Sequence, residues 1–163
     1  SWIEPGRYIG IWWSIHKKQN TWEMGPQHGA TTENVKRYMD FAARHGFSGV
    51  LAEGWNPGWG QGEQVTYLKS YPDFDIDEVC RYAQQKDVRF IGHMESWGRA
   101  SLIEQEMDEA FAWYQKLGIR VVKTGYVGHL MDGKELAKSQ YGIRHYRKVI
   151  ETAAKYQIMN SRY

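Results

Sequence analysis

Short continuous apolar runs alternate along this chain with longer stretches in which apolar residues recur every three or four positions. The short runs have the length and composition of buried parallel strands. They lie at residues 7–13, 48–52, 88–91, 119–123 and 157–159. The longer stretches have the apolar stripe of amphipathic helices. They lie at residues 32–45, 75–86, 101–117 and 140–156. Strand and helix thus alternate from end to end, which predicts a parallel sheet with right-handed crossovers.

Local signals set the ends of the predicted helices. The sequences DIDE at residues 75–78 and SLIE at residues 101–104 have the form of capping boxes, and Gly46 and Gly118 follow two of the helices. The last helix is expected to turn its apolar residues inward. These are Ile143, Tyr146, Ile150 and Ala153. Residues 16–30, 56–72 and 126–139 have no period and are predicted to be loops.

The length of the chain limits the architecture. A complete eight-fold barrel of strands and helices takes roughly 250 residues, and this chain has 163. We therefore predict an α/β fold over residues 1–163 that corresponds to about the first five strands of a TIM barrel. The uncovered last strand would leave an open edge. The chain is expected to be part of a larger catalytic domain, or a half-barrel that pairs with a second copy or with its missing half.

Composition excludes several classes of function. The 21 Lys and Arg residues are intermixed with 19 Asp and Glu residues, for a net charge of +2. Neither nucleic acid nor an anionic membrane surface is therefore an expected partner. No apolar run reaches the length of a membrane span, and there is no signal-peptide pattern. The single cysteine, Cys80, permits no intrachain disulfide and is expected to be a small buried residue.

Aromatic residues are abundant, with 8 Trp and 11 Tyr. Trp55, Trp59 and Trp97 lie beside glycines in predicted loops. Such residues either anchor a loop to the surface of the protein or stack on sugar rings, and the sequence favours neither interpretation.

Polar side chains follow three of the predicted strands. His93 and Glu95 come after the third strand, Glu53 after the second and Lys123 at the end of the fourth. Ligands of parallel sheets and barrels bind at the carboxyl ends of the strands, so these positions are the first candidates for a site. Each residue also has an ordinary structural interpretation. Glu95, for example, would cap the following turn or pair with Arg99.

Seven segments of the chain, in order, resemble one enzyme family. They are PGRYIGIWWS at 5–14, HGATTE at 28–33, GVLAEGWN at 49–56, YPDFD at 71–75, IGHMES at 91–96, VKTGYVG at 122–128 and HYR at 145–147. Together they resemble the catalytic barrel of glycoside hydrolase family 97, which contains α-glucosidases and α-galactosidases. In that family β domains flank the barrel on both sides, and this chain contains neither.

The resemblance implies roles for the residues at the strand ends. Retaining members have an Asp nucleophile where this chain has Gly125, and inverting members place a Glu base where it has Glu95. The chain therefore resembles the inverting, α-glucosidase-like branch, with Glu95 as the base that activates water. By the same resemblance, substrate contacts are implied for the set Glu53, Trp55, His93 and Lys123.

Other parts of the family's site lie beyond the matched segments. The general acid and most ligands of the family's calcium ion follow the fifth strand, so they are absent from this chain, and its own activity is expected to be weak or nil. An oligosaccharide is the implied substrate, with glucose and galactose both open, and the parent enzyme is expected to be periplasmic or secreted. Two alternatives remain: a fragment that binds sugar or assembles without catalysis, and an unrelated α/β enzyme with polar strand ends.

Overall fold

Five parallel strands and the helices between them form the framework of the chain in the computed structural model, which describes residues 1–162. In chain order the elements are β1 Tyr8–Ile11, α1 Trp13–His16, α2 Thr32–Arg44, β2 Gly49–Ala52, α3 Ile76–Gln85, β3 Arg89–Glu95, α4 Ala100–Lys116, β4 Val121–Gly125, β5 Leu130–Met131, β6 Glu135–Leu136, α5 Gln140–Lys155 and β7 Met159–Arg162. The strands of the main sheet lie in the order β1-β2-β3-β4-β7, and β5 and β6 form a separate antiparallel pair. This arrangement confirms the predicted partial α/β barrel.

The register of the sheet brings the polar strand ends into layers. Across β3 and β4, His93 pairs with Lys123 and Glu95 pairs with Gly125. Between β2 and β3, Leu51 pairs with Ile91, and the same register continued by two residues puts Glu53 beside His93. Glu53, His93 and Lys123 therefore share one layer, and Glu95 lies two residues further along β3.

The core fills the space between the sheet and its covering helices. Val35 and Met39 of α2, Val79 of α3 and Phe111 of α4 are all fully buried there. Burial of a side chain of this size stabilises a fold by about 1.5–3 kcal/mol. The helices thus fix the strands rigidly enough for their carboxyl ends to carry a defined site.

Several boundaries differ from those predicted. β1 ends at Ile11, because Trp13 begins the one-turn helix α1. β3 continues through its polar residues to Glu95, since the ladder to β4 satisfies the backbone there. The predicted loop at residues 126–139 contains the β5–β6 hairpin.

One of the two capping boxes forms only in part, and the other does not form. Asp75 accepts a hydrogen bond from the Glu78 amide, at 3.0 Å, as an N-cap should. At α4, however, the side chain of the N-cap residue makes no capping hydrogen bond, and the Ser101 amide donates instead to the carboxylate of Asp132, at 3.1 Å. That predicted box was wrong because a carboxylate from a distant segment satisfies the first turn.

The inward face of α5 also differs from the prediction. Ile143 is 47% exposed and Ile150 is 57% exposed. Tyr146 and Ala153 are buried as predicted, and His145 and Val149 are buried in place of the two isoleucines. The helix is therefore rotated relative to its predicted orientation, since a buried polar network around His145 replaces part of the expected apolar contact.

Cys80 is buried as predicted, and burial raises the pKa of its thiol to about 12. Among the helices of residues 1–162, none has the length and apolar character needed to cross a bilayer.

Candidate active site

A cavity of about 550 Å³ opens at the carboxyl ends of the strands. Eleven residues line it: Trp12, His16, Trp22, Glu53, Trp59, His93, Glu95, Trp97, Lys123, Tyr126 and Val127. Four of the five predicted site residues thus come together in one place. The cavity combines aromatic walls with a few buried polar groups, as small-molecule sites commonly do.

A buried ion pair forms part of the cavity wall. Lys123 Nζ lies 2.6 Å from Glu53 Oε1, and the two side chains are only 3% and 5% exposed. The indole N–H of Trp22 donates to the other oxygen of Glu53, at 3.0 Å. Both oxygens of Glu53 are therefore already hydrogen-bonded within the protein.

His93 is held neutral beside this pair. Its side chain is 2% exposed, and Nε2 lies 3.7 Å from Glu53 Oε1. Burial lowers the pKa of His93 to about 4, and the positive charge of Lys123 acts in the same direction while Glu53 opposes it. At neutral pH the ring is thus uncharged, with one nitrogen able to donate and the other able to accept a hydrogen bond.

Glu95 has one oxygen fixed by the backbone. Oε1 accepts hydrogen bonds from the amides of Trp97, at 2.8 Å, and Val127, at 3.1 Å. Burial nevertheless raises the pKa of this carboxyl above its usual value, and the negative charge of Glu53 adds to that effect, while the amides lower it. A carboxylate with a raised pKa and a fixed orientation is suited to general acid–base chemistry.

Gly125 leaves the space that Glu95 occupies. A Cβ placed on Gly125 would overlap Glu95 Oε2 and lie 3.2 Å from His93 Nε2. A side chain at position 125 is thus incompatible with the observed position of Glu95.

Indole rings form an aromatic wall of the cavity. Trp22 and Trp59 stack with ring centroids 5.5 Å apart and planes at 8°, and Trp97 meets Trp59 edge-on at 4.8 Å. Glu63 holds the loop that carries Trp59 by accepting hydrogen bonds from the Gly58 and Gly60 amides. The positions of Trp59 and Trp97 favour a role in the site over simple anchoring of loops.

Trp55 lies outside the cavity, so its predicted contact with substrate is wrong for this structure. It is fully buried, and its indole N–H donates to the His93 carbonyl, at 2.9 Å. The reason is the turn at Gly54, whose φ of +80° interrupts the alternation of the strand and directs Trp55 into the core. Through this hydrogen bond Trp55 holds the backbone of β3 at His93, which lines the cavity.

The model of the family described as glycoside hydrolase 97 matches residues 12–161 of the chain. The chain belongs to this family. The resemblance found in the sequence is thereby confirmed.

Two relatives set the scale of the similarity. A family 97 enzyme from a Pseudoalteromonas species, solved in complex with acarbose, is 42% identical with a TM-score of 0.92. The match covers 99% of this chain and 27% of that one. A curated protein of Bacteroides thetaiotaomicron named "Retaining alpha-galactosidase" is 25% identical over 98% of this chain. The chain spans 21% of the length of that protein.

More distant structures share the fold alone. A β-arabinopyranosidase superposes with a TM-score of 0.64 at 16% identity, and an L-ribulose 3-epimerase with a TM-score of 0.55 at 12% identity.

Sequence reasoning missed several residues of this family 97 site. His16 ends α1 and Trp22 lies in the loop after it, in a stretch where the sequence has no periodicity, while Tyr126 and Val127 follow β4. Trp12, Tyr126 and Val127 did carry a signal, since they fall within segments that resemble the family.

Calcium is the metal ion that the resemblance to the family implies. Within residues 1–162, no group of three or more His, Cys, Asp and Glu side chains is arranged to hold a metal ion. Calcium, which prefers several oxygen ligands, therefore remains a prediction for the longer family 97 enzyme, and no step below uses it.

Proposed function

We propose that this chain is part of an α-glucosidase-like hydrolase that inverts the configuration of the sugar, with Glu95 as general base. Inversion needs a carboxylate to deprotonate water and a carboxylic acid, about 6.5–9.5 Å away, to protonate the leaving oxygen. Water attacks the anomeric carbon, its proton passes to Glu95, and the glycosidic bond breaks as the acid donates its proton.

The observation that carries this proposal is the position of Glu95 opposite Gly125. Oε1 is held by two backbone amides, while Oε2 occupies the space that a side chain at position 125 would need. A retaining enzyme requires a nucleophile about 5–5.5 Å from its acid. Among residues 1–162, the only carboxylates that line the cavity are Glu95 and Glu53, and both oxygens of Glu53 are already engaged.

The stereochemistry proposed here differs from that in the name of the Bacteroides relative, which describes a retaining enzyme. The identity to that relative is 25%, against 42% for the Pseudoalteromonas enzyme. A carboxylate at position 125 would be needed for the family's retaining mechanism, and Gly125 supplies none.

Specificity for α-glucosides draws support from the ligands of solved relatives. The Pseudoalteromonas enzyme is described in complex with acarbose, and a variant of it in complex with panose. In the present chain, Glu53, His93 and Lys123 offer charged and neutral partners for sugar hydroxyls along one side of the cavity. We propose that these three residues bind the sugar at the bond to be cleaved.

The remaining components are assigned to the longer parent protein. We propose that its further barrel strands supply the general acid and the calcium ligands, and that it is exported to the periplasm or secreted. The open edges at β1 and β7 would pair with those strands, or with a second copy of this chain. Light scattering on the purified chain distinguishes a dimer from a monomer.

Proton NMR of the first product formed tests the reaction. The parent protein is incubated with p-nitrophenyl α-glucoside, and β-glucose should appear before mutarotation produces the α anomer. Glu95→Gln should lower kcat by about 10²- to 10⁴-fold, while Glu109→Gln, on α4, serves as the matched control. Initial release of α-glucose would overturn inversion, and full activity of Glu95→Gln would overturn the role of Glu95.

A second candidate function is sugar binding without cleavage by this chain. The aromatic wall of Trp22, Trp59 and Trp97 favours it, because stacking on sugar rings needs no general acid. A change in tryptophan fluorescence on addition of acarbose, without turnover of the glucoside, is the expected result for this alternative.

A further inference from the structure

A buried histidine outside the cavity has no part in the chemistry proposed above. His145 lies on α5 and is 2% exposed. Its Nδ1 lies 2.8 Å from Glu104 Oε1 on α4, and its Nε2 lies 2.9 Å from the hydroxyl of Tyr126. Three polar side chains thus form a continuous chain from the surface of the helices to the cavity, which Tyr126 lines.

The charge state of Glu104 fixes the direction of these hydrogen bonds. Partial burial raises the pKa of Glu104, but hydrogen bonds from Lys148 and His145 outweigh this effect and hold the pKa below its usual value. The carboxylate is therefore ionised at neutral pH and can only accept hydrogen bonds. His145 must therefore donate from Nδ1. In the tautomer with its proton on Nδ1, the ring accepts a hydrogen bond from the Tyr126 hydroxyl at Nε2.

Tyr126 is connected through the backbone to the general base. It lies between Gly125, which faces Glu95 across the sheet, and Val127, whose amide donates to Glu95 Oε1. The carbonyl of Gly125 also accepts from the amide and the hydroxyl of Ser96, each at 3.0 Å. A side chain that fixes Tyr126 thus fixes the segment at the end of β4 that holds Glu95.

Aromatic packing reinforces this position. The Tyr126 ring meets the His145 ring edge-on at 5.3 Å and the Tyr146 ring edge-on at 5.1 Å. The segment HYR at residues 145–147 therefore contributes two rings that pack against Tyr126.

We propose that His145, oriented by Glu104, is a positioning residue that acts through Tyr126 to hold the end of β4 against Glu95. This inference rests on the proposed function for its kinetic consequences. The geometry itself does not depend on that function, so the two can be tested separately.

The kinetic test compares two hydroxyl deletions in the parent protein. Tyr126→Phe removes the hydrogen bond to His145, and we expect kcat/KM to fall about 10- to 100-fold, because small displacements of a reacting group have effects of this size. The acid limb of the pH profile should move to higher pH, because a weaker Val127 hydrogen bond stabilises the carboxylate of Glu95 less. Tyr146→Phe is the matched control, since that hydroxyl donates to the Ala137 carbonyl, at 3.1 Å, and should leave both quantities unchanged.

Replacing His145 itself separates hydrogen bonding from packing. His145→Gln retains an acceptor for Tyr126 and a donor for Glu104, and should recover most of the activity that His145→Leu loses. Equal effects of Tyr126→Phe and Tyr146→Phe, without a shift of the pH profile, would reduce the network to a structural role and overturn the inference.

A measurement without turnover keeps this inference distinct from the proposed function. The side-chain carboxyl carbon of Glu95, assigned with the Glu95→Gln variant, is titrated by carbon-13 NMR. A higher pKa in Tyr126→Phe supports the inference even if the parent protein cleaves no glycoside. An unchanged titration refutes it even if the enzyme is active.

Discussion

Removing the positive charge of Lys123 should destabilise the protein strongly. At 2.6 Å from Glu53 Oε1, and with an effective dielectric constant of about 20, the attraction between the two charges is about 6 kcal/mol. Desolvation of both ions offsets most of this gain. Lys123→Met removes the attraction but leaves Glu53 buried and charged, which typically costs about 3–5 kcal/mol.

The double variant Lys123→Met with Glu53→Gln should recover most of the lost stability, because no uncompensated charge then remains buried. Lys155→Met is the matched control for the same substitution. Lys155 pairs with Asp108 at 2.9 Å, but the side chains are 65% and 64% exposed, so solvent screens the pair and no measurable change is expected.

Equilibrium denaturation in urea, followed by far-ultraviolet circular dichroism, gives the free energy of unfolding of each variant from its midpoint and slope. If Lys123→Met lowers the free energy of unfolding as little as Lys155→Met does, the view that the ion pair of Lys123 and Glu53 is desolvated is refuted. A double variant no more stable than the single one would refute the view that the stranded charge of Glu53 is the cause.

Substitutions at Gly125, His93 and Trp59 test other parts of the site. Gly125→Ala should lower kcat about 100-fold or more by displacing the general base, whereas Gly92→Ala, where a Cβ meets its nearest atom at 3.6 Å, should be tolerated in the same steady-state assay. The pKa of His93 is lowered from 6.5 to about 4, so as pH falls the unfolded chain binds a proton at His93 before the folded chain does, and the free energy of unfolding should drop by about 3 kcal/mol between pH 6.5 and 4. The free energy of unfolding of His93→Gln should drop less over that range. An identical pH dependence of the two proteins would contradict the lowered pKa of His93. Trp59→Ala should weaken acarbose binding roughly 2- to 10-fold in a fluorescence titration, and Trp2→Ala, outside the cavity, should not; equal effects would exclude stacking.

Most of the fold was predictable because its signals are local. The strands recur as apolar runs and the helices as stripes of 3.6-residue period, so the order of the five main strands and the four long helices followed from periodicity alone. Cys80 and the helix end before Gly46 follow in the same way from single residues and their neighbours. Errors arose where a distant segment replaced a local partner, as Asp132 does at the first turn of α4.

The candidate site was predictable only in part. Glu53, His93, Glu95 and Lys123 lie within two residues of the carboxyl end of a strand, and parallel strands bring their carboxyl ends together. Trp55 shared the same pattern and was misplaced, because a positive φ at Gly54 is a property of the folded loop and not of the strand period. Trp22 reaches the cavity from a loop in which no periodicity exists to predict it.

Local patterns along the chain were enough to predict the alternation of strands and helices, the family of the chain and the polar residues at the strand ends, because each depends on neighbouring residues. Which atoms meet depended on the tertiary structure. It engaged both oxygens of Glu53, fixed one oxygen of Glu95 with two amides and connected Glu104 through His145 to Tyr126. These contacts join residues far apart in sequence, and their geometry is set by the packing of helices on the sheet.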